Sequence, residues 1–203
     1  MASENQAIGV FDSGVGGLSV LRHLRKGVPH ETLLYFADQA HVPYGSLSVQ
    51  EIRHYSEEIT RFLLDQGAKI IVVACNTASA AALSYLRQTF PDVPIVGMEP
   101  AVKPAALLTK SGKVGVLATP ATFASPRYSS LMTRFAEEVV VFEDPCVGLV
   151  ELIEQGQLDT PATADLLGDI LEPMLQAGID TLVLGCTHYP LVMPLIERVA
   201  AAK

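Results

Sequence analysis

Apolar residues recur along this chain in short unbroken runs, and between the runs the pattern switches to a helical period. A short apolar run bounded by Gly or small polar residues reads as a strand buried on both faces, and strict alternation with helices predicts a parallel α/β architecture. Strands are expected at residues 8–11, 32–37, 69–74, 94–97, 114–119, 139–142 and 181–184. Helices are expected at 18–25, 78–90, 99–108, 125–135, 160–176 and 189–202, with a short one ending near 155. Ser48 with Glu51 three positions later is a capping box, opening a helix whose apolar stripe is Ile52, Tyr55, Ile59, Phe62 and Leu63.

Two stretches occur twice. Residues 67–75 read GAKIIVVAC and residues 178–186 read GIDTLVLGC, so glycine and cysteine both return at an offset of 111. Residues 114–119 (VGVLAT) likewise resemble 8–13 (IGVFDS) at an offset of 106. The expectation is an internal duplication: two similar parallel-sheet α/β/α domains, 1–98 and 99–203, related by a pseudo-twofold. The counterpart of the strand at 93–98 would fall near 204–209, past Lys203, so a missing C-terminal portion is also expected.

Composition narrows the function classes. Hydrophobic residues make up 49% and charged residues 18%, enough apolar material for a substantial core. The net charge of −8 weighs against nucleic acid, whose phosphates call for a basic face. No apolar run reaches the roughly 18 residues of a membrane span. The opening MASENQAIGVF has neither the basic start nor the apolar core of an export signal. Three distant cysteines make a poor disulfide framework, so the expected setting is cytoplasmic with reduced thiols.

Candidate chemistry centres on Cys75 and Cys186. Each ends an equivalent strand and is followed by a polar pair and a helical pattern, and ligands of open α/β sheets bind at the carboxyl ends of strands. A helix N-terminus is expected to pull such a thiol from about 8.5 to near 7, where it can serve as acid or base. Two thiols facing across a cleft suit inversion at carbon, one removing a proton while the other supplies one, with coupled titrations. Zinc ligation would show close pairs such as CxxC, absent here, and no metal site is expected. Cys146 has no repeat partner and reads as structural.

Asp12 and Ser13 lead a glycine-rich turn (Gly14, Gly16, Gly17) that lacks the P-loop lysine and the dinucleotide spacing. Asp12 would repel an anion, so it reads as an acceptor for a substrate ammonium or as the orienter of a base. The loop Pro43, Tyr44, Gly45, Ser46 and the pair Asn76, Thr77 offer neutral donors that could hold a carboxylate, though either alone reads first as an ordinary loop or cap. His188, two residues past Cys186, is within reach of the same cleft as a proton donor.

These stretches carry a resemblance. FDSGVGG (11–17), VPYG (42–45), ACNT (74–77), GVLAT (115–119) and GCTHYP (185–190) together resemble the glutamate racemases of the cofactor-independent aspartate/glutamate racemase family. The resemblance implies two similar α/β domains with the active site between them, and no cofactor. It further implies that Cys75 exchanges the α-proton of the D-enantiomer and Cys186 that of the L-enantiomer, with Asp12, His188 and Glu154 assisting. Ser13, Tyr44, Gly45, Ser46, Asn76, Thr77, Thr122 and Thr187 would hold the amino acid. The implied product, D-glutamate, feeds bacterial peptidoglycan synthesis, and a homodimer is an expectation only. Competing readings are a racemase of aspartate or a related amino acid, and a shortened non-catalytic binding form.

Overall fold

Residues 6–202 are described here by a computed structural model. The first strand β1 (Ala7–Asp12) runs into the glycine turn and α1 (Leu18–Gly27), followed by β2 (Leu33–Ala37). A 3-10 turn (Tyr44–Ser46) precedes α2 (Val49–Asp65), which begins with the expected capping box: Ser48 Oγ accepts from Glu51 N–H, and the Glu51 carboxylate accepts from Ser48 N–H. Then come β3 (Ala68–Val73), α3 (Asn76–Thr89), β4 (Ile95–Gly97) and α4 (Val102–Leu108).

The second half repeats the plan. It holds β5 (Lys113–Leu117), a four-residue α5 (Pro120–Phe123) that the periodicity did not reveal, α6 (Pro126–Phe135) and β6 (Val140–Asp144). α7 (Leu149–Glu154), α8 (Pro161–Gln176) and β7 (Thr181–Leu184) follow. The last helix differs from expectation. A 3-10 turn (Tyr189–Val192) comes first, and α9 is confined to Met193–Ala201, because Pro190 and Pro194 each withhold an N–H from a continuous ladder.

All strand pairs are parallel, in the orders β2-β1-β3-β4 and β6-β5-β7. β1 and β5 are thus equivalent central strands, and β3 and β7 the equivalent strands that carry the cysteines. The duplication extends to single hydrogen bonds: Ala74 N–H reaches Phe11 O at 2.8 Å, and Gly185 N–H reaches Leu117 O at 2.6 Å.

Strand side chains alternate between faces, so each sheet buries two cores. Phe11, Ile71 and Val73 pack with α2 and α3, while Ile8, Val10 and Val72 pack with α1. In the second sheet Val114, Val116 and Val183 meet α4 and α6, and Leu117 meets α7, α8 and α9. These apolar layers fix the angle at which the carboxyl ends of both sheets turn toward each other.

Candidate active site

The carboxyl ends of β1, β3 and β7 place Asp12, Cys75 and Cys186 at one buried interface between the halves. Cys75 and Cys186 are 4% and 6% exposed, and Asp12 is fully buried. Burial pushes the Cys186 thiol up, and the nearby Cys75 and Asp12 add to it.

Cys75 is the N-cap of α3, and its Sγ accepts the Ala78 N–H at 3.4 Å. Its S–H is 3.6 Å from Ser13 Oγ. Burial, and then the nearby Asp12 carboxylate, push this thiol from the ordinary 9.0 up to about 11, against the opposing pull of the helix N–H. Cys186 is likewise pushed up by burial. The expectation of thiols near 7 is therefore corrected for the closed structure: desolvation of a thiolate outweighs what a helix end supplies. No α-helix starts at Cys186, only the 3-10 turn.

What Cys186 has instead is an imidazole. His188 Nδ1 lies 3.6 Å from Cys186 Sγ, and Nε2 lies 2.5 Å from Glu154 Oε1. With Nε2–H donated to the carboxylate, Nδ1 is left as the acceptor for the thiol proton. Burial favours protonation of Glu154, but hydrogen bonds from His188, Gln39 and the Val15 N–H outweigh it and hold the carboxyl below its usual range.

Polar contacts close the interface. Thr187 Oγ1 donates to Asp12 Oδ2 at 2.9 Å, while Asp12 Oδ1 accepts the Gly14 N–H at 2.9 Å. Val15 N–H reaches Glu154 Oε1 at 2.8 Å, and Thr77 Oγ1 pairs with Thr119 Oγ1 at 2.8 Å. Burial pushes the Asp12 carboxyl up, opposed by the field of His188 and by the hydrogen bonds from Gly14 and Thr187. The glycines of the turn make this approach possible. A Cβ at Gly16 would fall 2.5 Å from His188 Nδ1 and 2.7 Å from Thr187 Oγ1, and one at Gly17 would fall 2.5 Å from Asp12 Cβ.

The structure therefore brings together Asp12, Ser13, Cys75, Asn76, Thr77, Glu154, Cys186, Thr187 and His188. The 43–46 loop lies at the rim. There the Tyr44 hydroxyl is committed to Asp38 Oδ2 at 2.6 Å, and the Val42–Pro43 bond is cis. Gly45 packs on Thr119, and Ser46 is exposed with its Oγ on Pro43 O at 3.3 Å. Thr122 stands one step back, 3.0 Å from Thr119 Oγ1. Sequence reasoning missed Thr119 itself, which ties Thr77 to Thr122. Its position opposite Ser13 in the repeat was the available signal. Beside the rim loop, a cavity of about 290 Å³ is lined by Gly45, Ser46, Thr119, Cys146, Glu151 and Tyr189, so both halves contribute to it. Among the described residues no helix is long and apolar enough to cross a membrane.

Known proteins share this fold. The chain is 58% identical over 203 residues to the glutamate racemase of Pseudomonas aeruginosa, covering 100% of this chain and 77% of that protein. The structure matches that of Escherichia coli glutamate racemase in complex with L-glutamate and the activator UDP-MurNAc-ala. That match has a TM-score of 0.87 and 39% identity, over 96% of this chain and 74% of the other. It also matches the Francisella tularensis glutamate racemase in complex with D-glutamate, with a TM-score of 0.82 and 34% identity, over 96% of this chain and 73% of the other. The family model described as Asp/Glu/Hydantoin racemase matches residues 8–202, and the chain belongs to that family.

Proposed function

We propose that this chain interconverts L- and D-glutamate by two-base proton transfer at Cα, without a cofactor. Cys186 as thiolate takes the α-proton of L-glutamate, and the electron pair left on Cα is delocalised into the carboxylate. Cys75 as thiol delivers its proton to the opposite face, giving D-glutamate with the two sulfurs' protonation states exchanged. The reverse reaction uses Cys75 as the base. The observation that carries this reading is the pair of repeat-related thiols buried at one interface, Cys75 beside Ser13 and Cys186 beside His188, with Thr187 tied to Asp12 across it. Substrate choice is supported by the relatives, whose structures hold L-glutamate and D-glutamate.

The remaining site residues take complementary roles in this reading. His188, held by Glu154, accepts the Cys186 proton and returns it. Asp12 receives the substrate ammonium once Thr187 releases it. Ser13, Asn76, Thr77, Thr122 and Thr187 supply neutral donors to the carboxylates, and Pro43, Tyr44, Gly45 and Ser46 form the rim. Entry requires the halves, residues 1–98 and 99–203, to part. Each contact broken costs about 0.5–1.5 kcal/mol net, which the incoming carboxylates and ammonium replace. The enzyme works in the cytoplasm and supplies D-glutamate for peptidoglycan, and a homodimer is its expected assembly.

The test is circular dichroism of L-glutamate in deuterated water, with deuterium appearing at Cα of the product. Exchange with L-aspartate and none with L-glutamate would sink the assignment.

A further inference from the structure

Among the described residues, four buried side-chain polar atoms have no hydrogen-bond partner in the protein: Ser56 Oγ, Asn76 Oδ1, Arg127 Nε and the Tyr189 hydroxyl. An unmet polar atom at such depth is costly, and ordered water is the usual remedy. Two of the four have complementary needs. Asn76 Oδ1 lacks a donor and Arg127 Nε–H lacks an acceptor. Both residues line the same cavity between the halves, a space of about 10 Å³ whose wall also includes Met98, Pro100, Tyr128 and Leu131 and the polar Glu99, Thr122 and Ser125. That is close to the roughly 10–15 Å³ that one water needs.

We propose that a single ordered water occupies this cavity, accepting from Arg127 Nε–H and donating to Asn76 Oδ1. The inference rests on the racemase reading for its consequence, since Asn76 adjoins Cys75 and opens α3. A carboxamide offers one acceptor and two donor positions. Pinning the oxygen from behind leaves the NH₂ as the end presented to a substrate carboxylate. Arg127 is then a positioning residue. It acts from the second half, through one water, on an amide of the first. Its charge is not the active property: Arg127 Nη2 pairs with Glu99 Oε2 at 3.0 Å, and both side chains are over a third exposed, so that pair contributes little.

The test uses the wild-type protein with Arg127→Lys, Arg127→Met and Glu99→Gln. A crystal structure at a resolution that shows ordered water is expected to place density between Asn76 and Arg127 in wild type and Glu99→Gln, and none in the Lys and Met variants. KM for glutamate is expected to rise roughly threefold to tenfold in both Arg127 variants with kcat changed by less than about twofold, the scale of one hydrogen bond lost from ground-state and transition-state binding alike. Glu99→Gln is expected to match wild type. An undisturbed KM in Arg127→Lys would show that charge, not the Nε–H, matters, and would overturn the proposal; so would a dry cavity in wild type. Calorimetric dissociation constants for glutamate read the same shift without turnover. An inactive enzyme would thus count against the racemase reading alone.

Discussion

The two thiols occupy equivalent places in a doubled scaffold, yet their surroundings differ. Cys75 caps an α-helix, touches Ser13 and lies in the field of Asp12. Cys186 has no α-helix behind it and leans on an imidazole that a carboxylate fixes from the far side. The duplication also places Ala118 where the first half has Asp12. Duplication therefore determined where the sulfurs sit, and the residues around each strand end determined how each is assisted. Backbone N–H groups favour thiolate on both sides, from Ala78 at the start of α3 for Cys75 and from His188 for Cys186. Only Cys186 also has a side-chain base to take its proton, which suits a sulfur whose helix starts a turn too late.

The strongest way to break this comparison is to remove either sulfur. Cys75→Ala and Cys186→Ala are each expected to abolish racemisation, with losses beyond the roughly 10²–10⁴-fold of ordinary acid/base assistance. Near-normal turnover by either variant, followed by circular dichroism, would refute the two-base scheme. His188→Asn should lower kcat/KM by on the order of 10²–10³-fold, less than loss of the thiol it serves. Because the enantiomers are equal in free energy, that factor must be the same from L- and from D-glutamate. Unequal factors would indicate a fault in the assay.

Gly16→Ala sharpens the same contrast through geometry. The new Cβ drives into His188 and Thr187, and a displacement approaching an ångström there should cost on the order of 10²-fold in kcat. Gly17→Ala pushes on Asp12 instead, so the pair separates the two sides. Glu154→Gln keeps the shape and one acceptor oxygen for His188 and Val15, gives up the acceptor that Gln39 uses, and loses the charge that orients His188; it should cost only about tenfold. Steady-state rates against wild type decide each case.

The smallest effect is on stability. The unfolded chain releases the Cys75 proton near 9.0, while the folded protein holds it to about 11. Folding therefore binds more protons in that window, and stability is expected to fall as pH rises through it, by at most about 3 kcal/mol. Denaturant midpoints at both ends of the window measure the drop, and Cys75→Ala should reduce it. An unchanged drop would assign the pH dependence to other groups.

Much of this was readable beforehand. The seven strands fell within a residue or two of their expected limits, because a buried parallel strand leaves an unmistakable apolar run. The Ser48–Glu51 cap and the repeat were visible as local patterns. Harder to read were α5 and the 3-10 turn after His188, where short segments rich in Pro and Thr carry too few residues to show a period. Thr119 escaped because its local contacts with Thr122 are those of an ordinary helix cap, and Thr77 meets it only after the halves associate.

By itself the sequence determined the alternation of strand and helix, the doubling, and which residue types stand at each strand end, since these depend on neighbours a few positions apart. Only the tertiary structure decided that Glu154 backs His188, that Thr187 answers Asp12, and that burial pushes both thiols up. Those outcomes depend on desolvation and on contacts between residues more than thirty positions apart. No local pattern encodes the dielectric at a site that two halves of a chain create by closing on each other.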